Sequence, residues 1–181
     1  ASYVAFADTS NKKIYFHTFD NVNVNFQLFY TLPTVPAFGV SLDPYGIEFS
    51  QDSQLFYYSG NNNVVQFPLS SLGGIDGFEF YLMPVAKAGS LQLARNGKIY
   101  IAQGSSENPI EHLAVINKPE RIGEACKFQF SAIPFGSASS TKGLPLFIAS
   151  SLRNRIIPSD DNCVNIPFTF DLDAYTDIQS V

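Results

Sequence analysis

Between Leu91 and Ala102 apolar and polar positions alternate in two bursts about a turn. Leu91 and Leu93 flank Gln92, the stretch "RNGK" follows, and "KIYIA" resumes the apolar pattern. A period of two marks a half-buried strand, and Asn-Gly accepts the positive φ angles of a type I′ turn, so residues 90–104 predict a β-hairpin. The segment "GIEFSQDSQLFYYSG" at 46–60 has the same layout. Ile47, Phe49, Asp52, Leu55, Tyr57 and Gly60 stand where Leu91, Leu93, Asn96, Ile99, Ile101 and Gly104 stand, an offset of 44 read without a gap.

Each hairpin is followed by a third predicted strand, "NVVQFPL" at 63–69 and "HLAVINK" at 112–118, and by a fourth in "FEFYLM" and "CKFQFSAI". An earlier unit opens with "YVAFADTSNKKIYFHTF" at 3–19, in which Ile14 matches Leu55 at a spacing of 41, and continues in "NFQLFYTLP". One further step forward reaches "KGLPLFIAS", where a new unit should open. Four strands at a period just over 40 residues is the pattern of a β-propeller blade, whereas a two-sheet β-sandwich, the rival on strand density alone, has no reason to repeat. The predicted fold is therefore all-β: a partial propeller of about three four-stranded blades and the start of a fourth, over residues 1–157. Closed propellers carry about 4 to 8 blades. The remaining blades are expected from another part of the same propeller or from another chain, docking along open edges that carry Tyr3, Phe6 and Phe147. After "RIIPSDDNC" the pattern stops, and the rest reads as two short strands without partners.

Composition narrows the functional classes. The chain has 181 residues, 45% hydrophobic and 15% charged, with 17 Phe and 9 Tyr, which is globular and biased to strands. Its longest apolar run, about Leu144 to Ala149, is far short of the roughly 20 residues that cross a bilayer. No leader is visible at Ala1, so the expectation is a chain that begins after a removed segment or inside a larger protein. A net charge of −5 argues against nucleic acid as a partner. Nine of the eleven basic residues lie between Lys87 and Arg155, which more commonly means a solvated face than a patch that contacts phosphate or an anionic glycan. Two cysteines, Cys126 and Cys163, leave free-thiol and single-disulfide readings open.

The ordered motifs "YGIEFSQDSQLFYYS", "LQLARNGKIYIA", "LAVINKPERIGEACKF" and "GLPLFI" resemble the successive blade motifs of a propeller found in large secreted and cell-surface proteins of Bacteroidetes exported by the type IX secretion system. The resemblance runs from about Ile14 to about Ser150. Leu146 stands where that family usually has Asn, and "SQDS" replaces its usual Pro-Asp-Gly turn. There the propeller is commonly followed by immunoglobulin-like PKD modules, whose first strand resembles "CVNIPFTFDLDAYTDIQSV". The resemblance thus implies a linker and the start of a PKD-like module over 158–181, an extracellular or surface-attached location, and an adhesin-like binding or scaffold role without catalysis or cofactor. Export implies an oxidising setting, in which Cys126 and Cys163 are expected to pair and tie the tail to the propeller.

The residues alone agree on the absence of enzymatic motifs: no Gly-x-Ser-x-Gly elbow, no His-Glu-x-x-His and no Cys-x-x-Cys pair occurs. His17 and His112 fall on predicted strands among apolar residues, "LGGIDG" at 72–77 reads as a loop, and "DLDAYTD" at 171–177 lacks the Gly and distal Glu of a calcium loop. Glu48 and Gln92 hold the same place in two units, on the strand that resembles the innermost, channel-lining one, and are the candidate ligand-binding residues. The competing reading is that they hydrogen-bond backbone between blades. A metal-dependent lactonase-like hydrolase with Glu48 as a ligand would need further ligands at matching places, and the first unit offers Ala5 there. A spacer without any ligand is the third class.

Overall fold

The computed structural model describes residues 2–20, 22–32, 43–60, 62–72 and 80–144, together with the backbone of 155–158 and 170–173. Strand-forming residues dominate these segments, and no α-helix occurs among them. Three antiparallel meanders follow one another along the chain. Sheet 1 runs β1 (Ser2–Asp8), β2 (Lys13–Asp20), β3 (Asn25–Leu32). Sheet 2 runs β4 (Pro44–Phe49), β5 (Leu55–Gly60), β6 (Asn63–Pro68), β7 (Tyr81–Pro84), and sheet 3 runs β8 (Ala88–Leu93), β9 (Ile99–Gln103), β10 (His112–Ile116), β11 (Phe128–Pro134). The strand, turn, strand, third strand, fourth strand order expected of two units is present in sheets 2 and 3. Cys126 does not open the last strand as expected. It closes a 3-10 turn over Gly123–Cys126, because Lys127 adopts a left-handed conformation, with a φ of 55°, before β11 begins.

The sheets stack face to face, and sheet 2 is covered on both sides. Ile14, Phe16 and Leu32 of sheet 1 pack on Phe56, Tyr58, Val65 and Phe67 of sheet 2. On its other side Leu55, Tyr57, Val64 and Met83 meet Leu91, Leu93, Ile99, Ile101, Ala114 and Ile116 of sheet 3. The first layer is aromatic. Phe16 lies edge-on to Phe56 at 4.8 Å between ring centroids and Phe56 sits 5.3 Å from Phe67, pairs worth about 0.5–1.5 kcal/mol each beyond their burial. Three stacked layers rule out the two-sheet sandwich.

The first strands of neighbouring sheets come closest, backbone against backbone. A Cβ on Gly46 would lie 2.5 Å from Gly89 O and 2.7 Å from Leu91 N, and one on Gly89 would collide with Lys142 O. Ser59 Oγ accepts from Gly46 N at 2.8 Å and donates to Gly89 O at 2.6 Å, and Ser90 N donates to Lys142 O at 2.7 Å. Residues 142–144 thus lie beside β8 much as β8 lies beside β4, which is where a new unit was expected. At the other end Thr9 Oγ1 donates to Pro44 O at 2.8 Å and Lys12 Nζ pairs with Asp43 at 3.0 Å. Sheets that touch by backbone at one margin and stand a side-chain layer apart elsewhere splay like a fan. That arrangement is β-propeller-like.

Two sequence-derived details are corrected by the register. The gapless offset of 44 fails within the hairpin: Phe49 pairs with Phe56, whereas its counterpart Leu93 pairs with Ile99, so the offset is 44 on the first strand and 43 on the second. The turn of sheet 2 is one residue longer. Since side chains alternate between faces, that residue decides which face Tyr57 occupies. The turn at "RNGK" is also not type I′, for φ is positive at Gly97 (75°) and not at Asn96. Gly97 N donates to Ala94 O at 3.0 Å and Ala94 N to Lys98 O at 2.9 Å, which is a type I turn followed by a left-handed residue. Ser53 N likewise donates to Ser50 O at 2.9 Å, and φ is positive at Lys12 (54°), Ser53 (55°) and Gly97 alike. Asp52 and Asn96 match as well, their Oδ1 atoms accepting from Gln54 N at 3.1 Å and Lys98 N at 3.2 Å.

One turn carries strain. Val24, 73% exposed in the β2–β3 turn, has a φ of 50°, a conformation that costs a β-branched residue roughly 1–2 kcal/mol. Val24→Asn is expected to raise stability by about 0.5–1 kcal/mol, because Asn tolerates this region. An unchanged or lower urea midpoint would contradict it.

In the tail, β12 (Arg155–Pro158) pairs antiparallel with β13 (Phe170–Asp173), from Arg155↔Asp173 to Pro158↔Phe170. The described tail strands therefore have partners, contrary to expectation, since β13 finds one in "RIIP". The 157/158 boundary falls inside β12. Asp171–Asp173 lie in a strand rather than a loop. Cys163, Phe147, residues 73–77 and 174–177 lie outside the described residues.

Candidate functional site

Glu48 stands on β4 opposite Tyr57, Gln92 on β8 opposite Tyr100, and Ala5 on β1 opposite Phe16. By strand pairing these three positions are equivalent, on the margin where the first strands approach one another. Glu48 is half-buried and turned to sheet 3. Its Oε2 accepts from Leu93 N at 2.8 Å and its Oε1 from Phe49 N at 3.0 Å. The carboxylate thus bridges two sheets through main-chain donors. β8 is the edge strand of sheet 3 and Leu93 N points away from β9, so an acceptor from the neighbouring sheet satisfies a donor that the ladder leaves free. Gln92, also half-buried, points to the opposite face of its sheet from Leu91 and Leu93. The structure brings Glu48 to the residue beside Gln92 rather than to the Gln92 side chain's face.

A second polar cluster, between sheets 2 and 3, was missed in the sequence. Tyr57 and Gln66, adjacent across β5 and β6, are 0% and 1% exposed. Gln66 Nε2 donates to Tyr57 Oη at 2.5 Å and to Arg121 O at 2.7 Å, and Gln66 Oε1 accepts from Gly123 N at 2.8 Å. Tyr57 Oη in turn donates to Pro119 O at 2.8 Å. Two side chains of sheet 2 therefore hold the 117–123 loop of sheet 3 by its backbone. Only the odd sequence of a Gln inside "NVVQFPL" signalled it, and the partner loop is more than fifty residues away.

The remaining chemical groups serve the fold. Gln103 is buried and its Nε2 donates to His112 O at 3.3 Å and to Phe130 O at 3.1 Å, the latter in the part of β11 that the register shift between Leu113 and Val115 leaves out of the ladder. His17 and His112 lie on strands as expected, edge-on to Phe6 at 5.4 Å and to Phe130 at 5.2 Å. They belong to different sheets. Among the described residues no group of three or more His, Cys, Asp or Glu side chains could hold a metal ion. None of the helices of the described residues is long and apolar enough to cross a membrane.

Burial raises the pKa of the Cys126 thiol above its ordinary 9.0 and those of Tyr57 and Tyr58 above 10.0. For Tyr57 the hydrogen bond from Gln66 opposes the shift without cancelling it. Raised acids of this kind stabilise the fold while the unfolded chain also keeps its proton, and that stability is lost as pH rises and only the unfolded chain ionises. Stability is therefore expected to be level from neutrality to about pH 8.5, to fall above the ordinary thiol pKa and to fall more steeply above the phenol range. Urea midpoints of the reduced chain across this range check it, and a Cys126→Ala variant should lose the first decline.

No protein-family model matches the chain, and no curated protein does. A crystal structure of a protein from Lactobacillus plantarum is similar at 14% identity with a TM-score of 0.49, covering 76% of this chain and 41% of that one. The chain thus spans less than half the length of that protein.

Proposed function

We propose that the chain is a non-catalytic binding or scaffold module of a secreted or cell-surface, adhesin-like protein. In this reading residues 1–157 form three propeller blades and the start of a fourth, and 158–181 lead into a PKD-like module. Other parts of the same propeller, or another chain, complete the ring. The observation that carries the scaffold reading is the Glu48 carboxylate, which is spent on backbone donors of two sheets instead of being held open for a ligand. Export, the type IX route and the Cys126–Cys163 bond rest on the sequence resemblance. The excess of basic residues between Lys87 and Arg155 makes an anionic glycan the ligand class of a binding role.

The test is a comparison of the chain with Glu48→Gln in thermal melts with added Ca²⁺, Mn²⁺ or Zn²⁺ or with EDTA, alongside a lactone hydrolysis assay. Glu48→Gln is expected to cost about 1–2 kcal/mol in every condition, the scale of a lost charge-assisted bond, with no turnover by either protein. A cation that stabilises only the parent chain, together with hydrolysis lost in Glu48→Gln, would favour the lactonase-like alternative. Antibody labelling of intact source cells checks the location, and labelling only after permeabilisation would overturn it.

A further inference from the structure

Asn96-Gly97 is the one Asn-Gly step in the chain, and it lies in the β8–β9 turn with Asn96 exposed. The side-chain carbonyl carbon of an Asn and the main-chain nitrogen that follows it close a five-membered ring when they join, and a following glycine, lacking Cβ, leaves that nitrogen unhindered. The turn holds the reacting atoms apart. Gly97 N donates backwards to Ala94 O at 3.0 Å, while the Asn96 amide is held forwards, its Oδ1 accepting from Lys98 N at 3.2 Å and its Nδ2 donating to Tyr100 Oη at 2.9 Å. In the matching turn of sheet 2, Asp52 stands for Asn96 and Ser53 for Gly97, and Asp52 Oδ1 accepts from Gln54 N at 3.1 Å and from Ser50 Oγ at 2.6 Å. A carboxylate at this place is therefore compatible with the turn.

We propose that Asn96 is a site of slow self-modification, and that the Tyr100 hydroxyl is the latch that sets its rate. When the turn opens, Gly97 N loses its proton to solvent and attacks Asn96 Cγ. The N–Cγ bond forms, the Cγ–Nδ2 bond breaks, and the side-chain nitrogen leaves as ammonia. Water then opens the cyclic imide. Cleavage of N–Cγ gives aspartate, and cleavage of the original peptide bond gives isoaspartate, whose main chain runs through Cγ and is one carbon longer. Aspartate keeps an acceptor for Lys98 N, as Asp52 does for Gln54 N, but no longer donates to Tyr100. Isoaspartate lengthens the turn that fixes the pairing of Leu93 with Ile99. Either product adds a negative charge to the turn after Leu93, whose N–H holds the Glu48 carboxylate. The inference is independent of whether the chain is a scaffold or a hydrolase.

Peptide mapping by mass spectrometry of the full chain, held folded or in urea at mildly alkaline pH, measures the acid formed at Asn96. The folded parent is expected to acquire it slowly, and the unfolded chain roughly tenfold faster or more, because every molecule then has the turn open. Tyr100→Phe, at a half-buried position, is expected to keep its fold and to react about fivefold faster than the folded parent, the gain in open turns that the loss of one hydrogen bond allows. Tyr57→Phe weakens the fold without touching this turn and is expected to react at the parent's rate. A folded parent as fast as the unfolded chain, an Asn96 that stays intact in urea, a Tyr100→Phe chain no faster than the parent, or a Tyr57→Phe chain accelerated as much as Tyr100→Phe would each overturn the proposal. The comparison of folded with unfolded parent decides the gating by itself if Tyr100→Phe fails to fold.

Discussion

Replacing Gln66 with leucine will destabilise the chain by about 3–4 kcal/mol, although leucine fits the apolar surroundings and is close in size. The loss comes from Gly123 N and Arg121 O, which no longer have this partner, and from Tyr57 Oη, which keeps its bond to Pro119 O but loses the donor it accepts from. Each unsatisfied buried group costs about 1–3 kcal/mol, and the apolar gain of leucine offsets only part of the sum. Tyr57→Phe, which leaves Pro119 O without its donor, is expected to cost less, about 1–2 kcal/mol. Because the two side chains share a hydrogen bond, the double variant should lose less than the sum of the singles. Urea denaturation of the four proteins measures this. A Gln66→Leu chain as stable as its parent would mean that sheet 2 does not hold the 117–123 loop.

Gly89→Ala is expected to be as damaging for a different reason. Its methyl group would run into the backbone of Lys142, which cannot swing aside as a side chain end can, so β8 and the 142–144 segment must part and the Ser90 N to Lys142 O bond is lost with them. Overpacking of this kind costs about 1–3 kcal/mol, and the lost bond brings the expected total to about 3–4 kcal/mol. Gly143→Ala is the control, since a Cβ there meets nothing within 4 Å, and its effect should be small. Equal midpoints for the two variants would show that the sheets are not in backbone contact at this margin.

Much of the architecture was legible in the sequence. Turn residues and apolar bursts placed the hairpins of sheets 2 and 3, and the period placed the third and fourth strands. The one-residue gap was hidden because every residue of β5 from Leu55 to Gly60 is buried. A strand covered on both faces loses its alternation, so parity could not be read, and Tyr57 could be matched with Ile101 when its partner across the repeats is Tyr100. The turn type was misjudged because Asn-Gly suits two hairpin geometries, and the lengths of the flanking strands decide between them. Glu48 stood out by its recurrence with Gln92, yet the Leu93 N–H that it accepts is supplied by the next sheet. The Tyr57 and Gln66 cluster depends on a loop far along the chain, and no local pattern reports such contacts.

Because sheets 1, 2 and 3 share cores only with their neighbours among the described residues, their stability is a sum along a row, in the manner of a one-dimensional array. Sheet 2 shares two cores, one with each neighbour, while sheet 1 shares one. Fluctuations that open sheet 1 expose the aromatic layer around Phe56 and leave the layer around Ile99 and Ile101 closed. Amide hydrogen exchange would accordingly be fastest in β1 and β3 and slowest in β5 and β6, so that unfolding travels inward from the ends and the chain responds to stress in steps of one sheet.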